Sequence, residues 1–288
     1  MNLFKEILRG VLIGVANIIP GVSGGTMAVS MGIYDKMIYA VNHIRTEFKK
    51  SVLTLLPYGI GMGLGVGLLS FVISFLFEVY PYQTSMAFIG LILGGVPAIW
   101  KRVKASAEGS MPKGTCYYVL MILFFVGILL LEIFGGGKER VAVLEPSLMM
   151  TLILFLVGVV ASATMVIPGV SCSMLLMLLG FYTPILEQIK GFISSALAFD
   201  IPMAWNAALL LIPFGLGVIV GIVLIAKLIG FLLERFQTHT YMGILGLVFA
   251  SPIVVFLQMG EQRIGILSGL IGVACLVLGY LVAERMAD

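Results

Sequence analysis

The chain has 288 residues, of which 60% are hydrophobic and only 11% charged, with a mean hydropathy of +1.15 and a formal net charge of +3. A water-facing surface needs about 25% charged residues. The composition therefore excludes a soluble enzyme, a nucleic-acid binder and a disordered scaffold, and predicts an all-α polytopic membrane protein.

Cys116, Cys172 and Cys275 stand far apart in apolar runs without metal-ligand spacing, so neither a disulfide framework nor a zinc site is expected. No metal or cofactor is expected.

Residues 7–41 are apolar but broken by Pro20-Gly21 near their middle. The limb before Pro20 is about 13 residues, roughly 20 Å of helix, too short for a bilayer core of about 30 Å. Lys5 and Arg9 before this stretch resemble the start of a signal peptide. The same segment recurs in mid-chain, which a cleaved address has no reason to do. Runs of about 52–77, 84–100 and 115–134 are predicted spans. A second broken region, 148–189, carries Pro168-Gly169, and runs of about 206–233, 240–258 and 264–284 complete the chain. The glycines from Gly59 to Gly67 do not follow a strand and lack dinucleotide-fingerprint spacing. Close helix packing or a flexible gating helix are their readings.

The recurrence is internal duplication. Ile18-Ile19-Pro20-Gly21-Val22-Ser23 matches Val166-Ile167-Pro168-Gly169-Val170-Ser171 at an offset of 148 residues, and Gly32 and Tyr34 continue the match at Gly180 and Tyr182. At an offset of 156, Pro57, Gly59, Gly61, Gly65, Glu78, Thr84, Met86 and Gly90 match Pro213, Gly215, Gly217, Gly221, Glu234, Thr240, Met242 and Gly246. The chain reads as two repeats, 1–144 and 145–288.

If each broken region is a re-entrant hairpin, each repeat has three full spans, and the odd number inverts the second repeat relative to the first. Thirteen basic residues then share one side: Lys5, Arg9, Lys36, Arg45, Lys49, Lys50, Lys101, Arg102, Lys104, Lys113, Lys227, Arg235 and Arg285. Only Lys138, Arg140, Lys190 and Arg263 lie opposite. The positive-inside bias places both termini in the cytoplasm. Had both hairpins crossed fully, the basic loops would fall on opposite sides.

Non-helical backbone at membrane depth survives only where it is buried in protein or lines a wet cavity. After each Pro-Gly break a helix starts afresh, with unpaired N–H groups and a positive dipole end that favour a phosphate or carboxylate. Gly21, Ser23, Gly24, Gly25 and Thr26, and in the second copy Gly169, Ser171, Cys172 and Ser173, offer close backbone approach and hydroxyl donors. Two such ends meeting near the midplane match alternating-access transporters. The plainer reading is a pair of kinks whose hydroxyls cap the helices.

The segment Asn17-Ile-Ile-Pro-Gly-Val-Ser-Gly-Gly-Thr26, its degenerate second copy and the hydropathy of the whole chain resemble the bacterial polyprenyl-phosphate transporters. The resemblance implies a multi-pass protein of the bacterial cytoplasmic membrane, not an enzyme, that returns undecaprenyl phosphate from the outer to the inner leaflet for reuse in envelope synthesis. Cys172 and Ser173 replace Gly24 and Gly25, so the two phosphate cradles are expected to be unequal.

Arg9, about three turns before Pro20, is the candidate partner for the phosphate, or else a snorkelling anchor. Asn17 could donate to a phosphate oxygen or satisfy a freed carbonyl. Asp35, Glu132 and Glu187 could carry a coupling ion, a proton or sodium, and the repeat-matched Glu78 and Glu234 a gate. Each also fits an interfacial charge. Lys227 reads as a snorkelling residue, His43 and His239 as solvated loop residues, and Trp100 and Trp205 as belt residues. Oligomeric state leaves no mark in the sequence.

Two other classes remain open. A small-anion or other lipid-phosphate transporter shares every feature derived from the residues. An integral-membrane undecaprenyl-pyrophosphate phosphatase would need a nucleophile beside a base and cationic clamps, and neither Ser23 nor Ser171 has an Arg, His or Glu in its loop.

Overall fold

The computed structural model describes residues 3–18, 22–135, 142, 144, 147–259 and 265–287. They form twelve helices and, among the described residues, no strand. In chain order these are α1 (Leu3–Ile18), α2 (Gly24–Ser30), α3 (Tyr34–Asn42), α4 (Phe48–Val79), α5 (Pro81–Ser106), α6 (Thr115–Gly135), α7 (Leu148–Val166), α8 (Cys172–Leu179), α9 (Tyr182–Leu197), α10 (Ile201–Arg235), α11 (Gln237–Gln258) and α12 (Ile266–Ala287).

Among the described residues, six helices are long and apolar enough to cross a membrane: α5, α6, α7, α10, α11 and α12. α4 meets the same criterion as a bent pair, and so do α8 and α9 together, with a bend of 108°. α4, α5, α6, α10, α11 and α12 cover the six expected spans. α7 differs from the expectation for a first limb, since its 19 residues give about 28 Å, enough to cross alone. α1, with 16 residues, reaches about 24 Å.

The sequence match places α1–α3 on α7–α9 and α4–α6 on α10–α12, and equivalent helices pack alike. α1 lies along α4 as α7 lies along α10. α6 packs on α11, and α12 on α5.

Glycines set these contacts, because side-chain-free positions let backbones approach. A Cβ at Gly61 would collide with the backbone of Ile7 and Gly10, and one at Gly65 with the Val11 carbonyl. Their counterparts Gly217 and Gly221 are closed off by the carbonyls of Phe155 and Val159. Gly59, Gly63 and Gly67 face open space, as does Gly215, the counterpart of Gly59. One side of the glycine run is therefore a packing seam and the other is free.

The corners repeat too. Thr84 Oγ1 donates to the carbonyls of Leu76 (3.1 Å) and Tyr80 (2.7 Å), and Thr240 Oγ1 to those of Leu232 (3.0 Å) and Phe236 (2.9 Å). Each hydroxyl adds a second hydrogen bond to carbonyls at the end of a long helix that already accept a backbone N–H, and so ties that end to the start of the next helix. Ser147 caps α7 by accepting from Met150 N–H, and Asp200 caps α10 by accepting from Met203 N–H, both at 3.1 Å.

After each break, the chain contacts residues that precede it. Lys36, at the start of α3, lies 3.0 Å from Glu6 in the first turns of α1. The Gly180 carbonyl, just past α8, accepts from Ala142 N–H, which precedes α7 (2.9 Å). Gly32 (φ +67°) and Gly180 (φ +79°) make the two turns in the left-handed region that glycine tolerates. The first and last helices end together, with Lys5 Nζ donating to Arg285 O (3.3 Å) and Arg9 Nε to Met286 O (3.1 Å). The centre of the core is α2, buried along its whole length, against residues such as Ile92, Met242, Leu245 and Val248.

Candidate functional site: the meeting of the two breaks

Pro20 and Gly21 lie outside the described residues. α1 stops at Ile18 and α2 begins at Gly24, so this bend brings the end of one helix beside the start of the next. Asn17 Oδ1 accepts from Gly24 N–H at 3.0 Å, satisfying one of the N–H groups that a helix start leaves over. The Asn17 oxygen is thus taken by an N–H, and its amide NH₂ keeps the donor capacity expected for a phosphate or a freed carbonyl. A Cβ at Gly24 would fall on the Asn17 amide, so glycine is needed for this cap.

Ser23 Oγ donates to the Thr164 carbonyl at 3.2 Å, and Thr26 Oγ1 accepts from Gly169 N–H at 2.7 Å. Gly25 packs against the last carbonyls of α7, since a Cβ there would lie 3.1 Å from those of Met165 and Val166. The two copies of the motif are in direct contact. Ser23 and Thr26, expected as ligand donors, are both engaged with protein and both almost fully buried.

The second copy differs. Ser171 and Ser173 share a hydrogen bond of 2.8 Å, while Cys172 packs against an apolar cluster containing Leu154, Leu176 and Ile185. Gly169, at φ +85°, is pressed against the Leu247 backbone.

Beside this junction lies a cavity of about 320 Å³. Asn17, Gly24 and Gly25 form its polar end. The walls are hydrocarbon, from Met37, Ile38 and Val41 of α3, Leu55 and Met62 of α4, Met165 and Val166 of α7, and Ile222 and Ala226 of α10. Two tyrosines border it, Tyr34 and Tyr58.

Arg9 is not part of that lining. It is buried at 9% exposure, where it contacts Glu6 at 3.5 Å and the Met286 carbonyl. Glu6 also accepts from Lys36 and from the hydroxyl of Tyr58, whose ring carries the Lys36 ammonium 5.5 Å from its centroid. Tyr58 therefore stands between the cavity and a cluster in which the buried Glu6 and Arg9 meet the partly exposed Lys36. Sequence reasoning missed Glu6. The available signal was its spacing of three from Arg9, which puts both on one helix face.

Asp35 is ion-paired with Arg102 of α5 and accepts from the Tyr241 hydroxyl at 2.6 Å, while Arg102 also donates to the Gly32 carbonyl at 2.9 Å. The turn between α2 and α3 is thus fastened to α1 through Lys36 and to α5 through Asp35. Glu132 accepts from Gln258 Nε2 at 2.8 Å. Glu78, Glu187 and Glu234 are exposed, and among the described residues none forms an ion pair.

A family model described as VCA0040-like, undecaprenyl phosphate translocase-like, matches residues 13–268. The chain belongs to that family. It is 28% identical over 287 residues to a polyprenyl-phosphate transporter of Staphylococcus aureus, covering 98% of this chain and 96% of that one. It is 26% identical over 265 residues to a polyprenyl-phosphate transporter of Vibrio cholerae, covering 87% of this chain and 77% of that one. No solved structure matches. Family membership and the apolar helices together make this a membrane protein with transmembrane helices.

Proposed function

We propose that the protein is a flippase that carries undecaprenyl phosphate from the outer to the inner leaflet of the bacterial cytoplasmic membrane, by alternating access. The observation that carries this reading is the cavity, which borders Asn17, Gly24 and Gly25 at the start of α2 and is otherwise walled by hydrocarbon. A lipid phosphate has that same division, one anionic head on a long apolar tail. A free small anion would gain nothing from the aliphatic walls and would lose its hydration there, which favours the lipid over the small-anion reading.

The head would rest at the start of α2, on Asn17, Gly24 and Gly25. Ser23 and Thr26, with their partners Thr164 and Gly169, form the seam that opens or tightens as the halves move. Helix packing that repeats between the halves supports inverted repeats, and the returning contacts of Lys36 and Gly180 support re-entrant hairpins. In this arrangement both termini are cytoplasmic. The Glu6–Arg9–Lys36 cluster behind Tyr58 is the cytoplasmic exit, where Arg9 receives the phosphate once Glu6 lets go. Among the carboxylates, Asp35 is best placed to gate, because it spans α3 and α5.

The test uses purified protein in liposomes carrying labelled undecaprenyl phosphate in one leaflet. Leaflet exchange is followed, together with phosphate release from undecaprenyl pyrophosphate in a parallel sample. Exchange without release is expected. Release without exchange would mean a phosphatase, and exchange of inorganic phosphate alone would mean a small-anion carrier.

A further inference from the structure

The large cavity is not closed on all sides. Met165, on its α7 wall, is 39% exposed, and Gly59, on its α4 wall, is exposed too. α3 packs against both α4 and α10, while no close packing joins α4 to α7 or α10 among the described residues. The cavity therefore has a mouth where α4 stands apart from α7 and α10.

That mouth lies at membrane depth. Gly59 comes eleven residues after Phe48, the start of α4, which is about 17 Å of helix. α7 carries no charged residue, α4 none from Ser51 to Phe77, and α10 none from Ile201 to Ala226. Leu56 and Ile60 of α4 and Ile219 of α10 add exposed hydrocarbon on the same helices. A phosphate would lose its hydration on such a surface, but a hydrocarbon chain can lie there.

Size decides how much of a prenyl chain fits inside. A chain carbon takes about the volume of one water in the liquid, roughly 30 Å³, so a five-carbon isoprene unit needs about 150 Å³. The cavity of about 320 Å³ holds about two such units, and the eleven of an undecaprenyl chain need about five times its volume.

We propose that the protein encloses only the phosphate and the isoprene units next to it, and that the rest of the chain leaves between Gly59 and Met165 into the surrounding lipid. The substrate class is then any prenyl phosphate long enough to reach the mouth, with no selection for eleven units. This deepens the transporter reading and rests on it.

The experiment measures binding of geranyl, farnesyl, geranylgeranyl and undecaprenyl phosphate, at equal mole fraction in the membrane, to purified full-length protein in nanodiscs. Gly59→Leu and Met165→Trp are compared with the parent, and thermal unfolding of each is recorded. For the parent, the affinities of the three longer lipids are expected to agree within about threefold, because the added units never enter the protein. Both variants narrow the mouth at exposed positions, so they are expected to unfold near the parent temperature. They should weaken the three longer lipids about tenfold and leave geranyl phosphate, whose two units fit inside, near its parent affinity.

An affinity that climbs about tenfold or more from farnesyl to undecaprenyl phosphate would mean that the chain is held along its length, and would overturn the proposal. Unchanged binding by both variants would overturn it as well, and so would an equal loss for geranyl phosphate, which would put Gly59 and Met165 at the headgroup instead. No binding of undecaprenyl phosphate by the parent would bring down the transporter reading beneath it.

Discussion

The Thr26 hydroxyl oxygen accepts a 2.7 Å hydrogen bond from the backbone N–H of Gly169, joining the two copies of one motif across 143 residues of chain. Thr26 is fully buried, so neither group can turn to water instead.

Thr26→Val keeps the shape and removes the acceptor, stranding the Gly169 N–H. The expected loss is about 1–3 kcal/mol, read as a lower unfolding temperature in detergent, with slower lipid exchange. Thr26→Ser keeps the oxygen and should recover most of both. Equal behaviour of the Val and Ser variants would show that the bond does not hold the seam.

Glu6→Ala removes the anion from the buried cluster and leaves Arg9 with only the Met286 carbonyl among its observed partners. Breaking a buried pair costs about 3–5 kcal/mol. The lower end is expected here, because the Lys36 side chain is 37% exposed. Raising the salt concentration should change the loss little, since buried charges are weakly screened. A loss that vanishes in high salt would place the cluster at an open surface.

The glycine run gives opposite outcomes at adjacent odd positions. Gly61→Leu should prevent the close approach of α1 and α4 and abolish stable insertion. Gly63→Leu points into open space and should fold normally. Comparing yields of folded protein by size-exclusion chromatography in detergent checks this.

Gly59 lines the cavity, and a Cβ at this position would meet nothing within 4 Å. Gly59→Leu is therefore expected to leave the unfolding temperature near the parent value while blocking lipid exchange. Normal exchange in this variant would mean that the lipid does not pass through this space.

Cys116 is exposed at the start of α6, after the basic 101–114 segment. With both termini cytoplasmic, a membrane-impermeant maleimide should label it in inside-out vesicles and not in intact cells. The reverse pattern would invert the topology.

The sequence alone was enough for the membrane class, the positions of the main spans and the family. These depend on features that local chemistry writes into the chain: apolar runs of span length, prolines that stop helices, glycines that permit contact. It also pointed to Asn17, Ser23, Gly24, Gly25 and Thr26, because a helix start after a break needs small and polar residues wherever it sits. It did not reveal which partner each would take. Thr26 meets Gly169, Ser23 meets Thr164 and Arg9 meets Met286 only because distant helices cross there, and a sequence carries no direct record of who lies across a gap. Glu6 escaped notice for the same reason. A carboxylate in the first turns of α1 looks like a surface residue until the packing of α1, α3, α4 and α12 buries it.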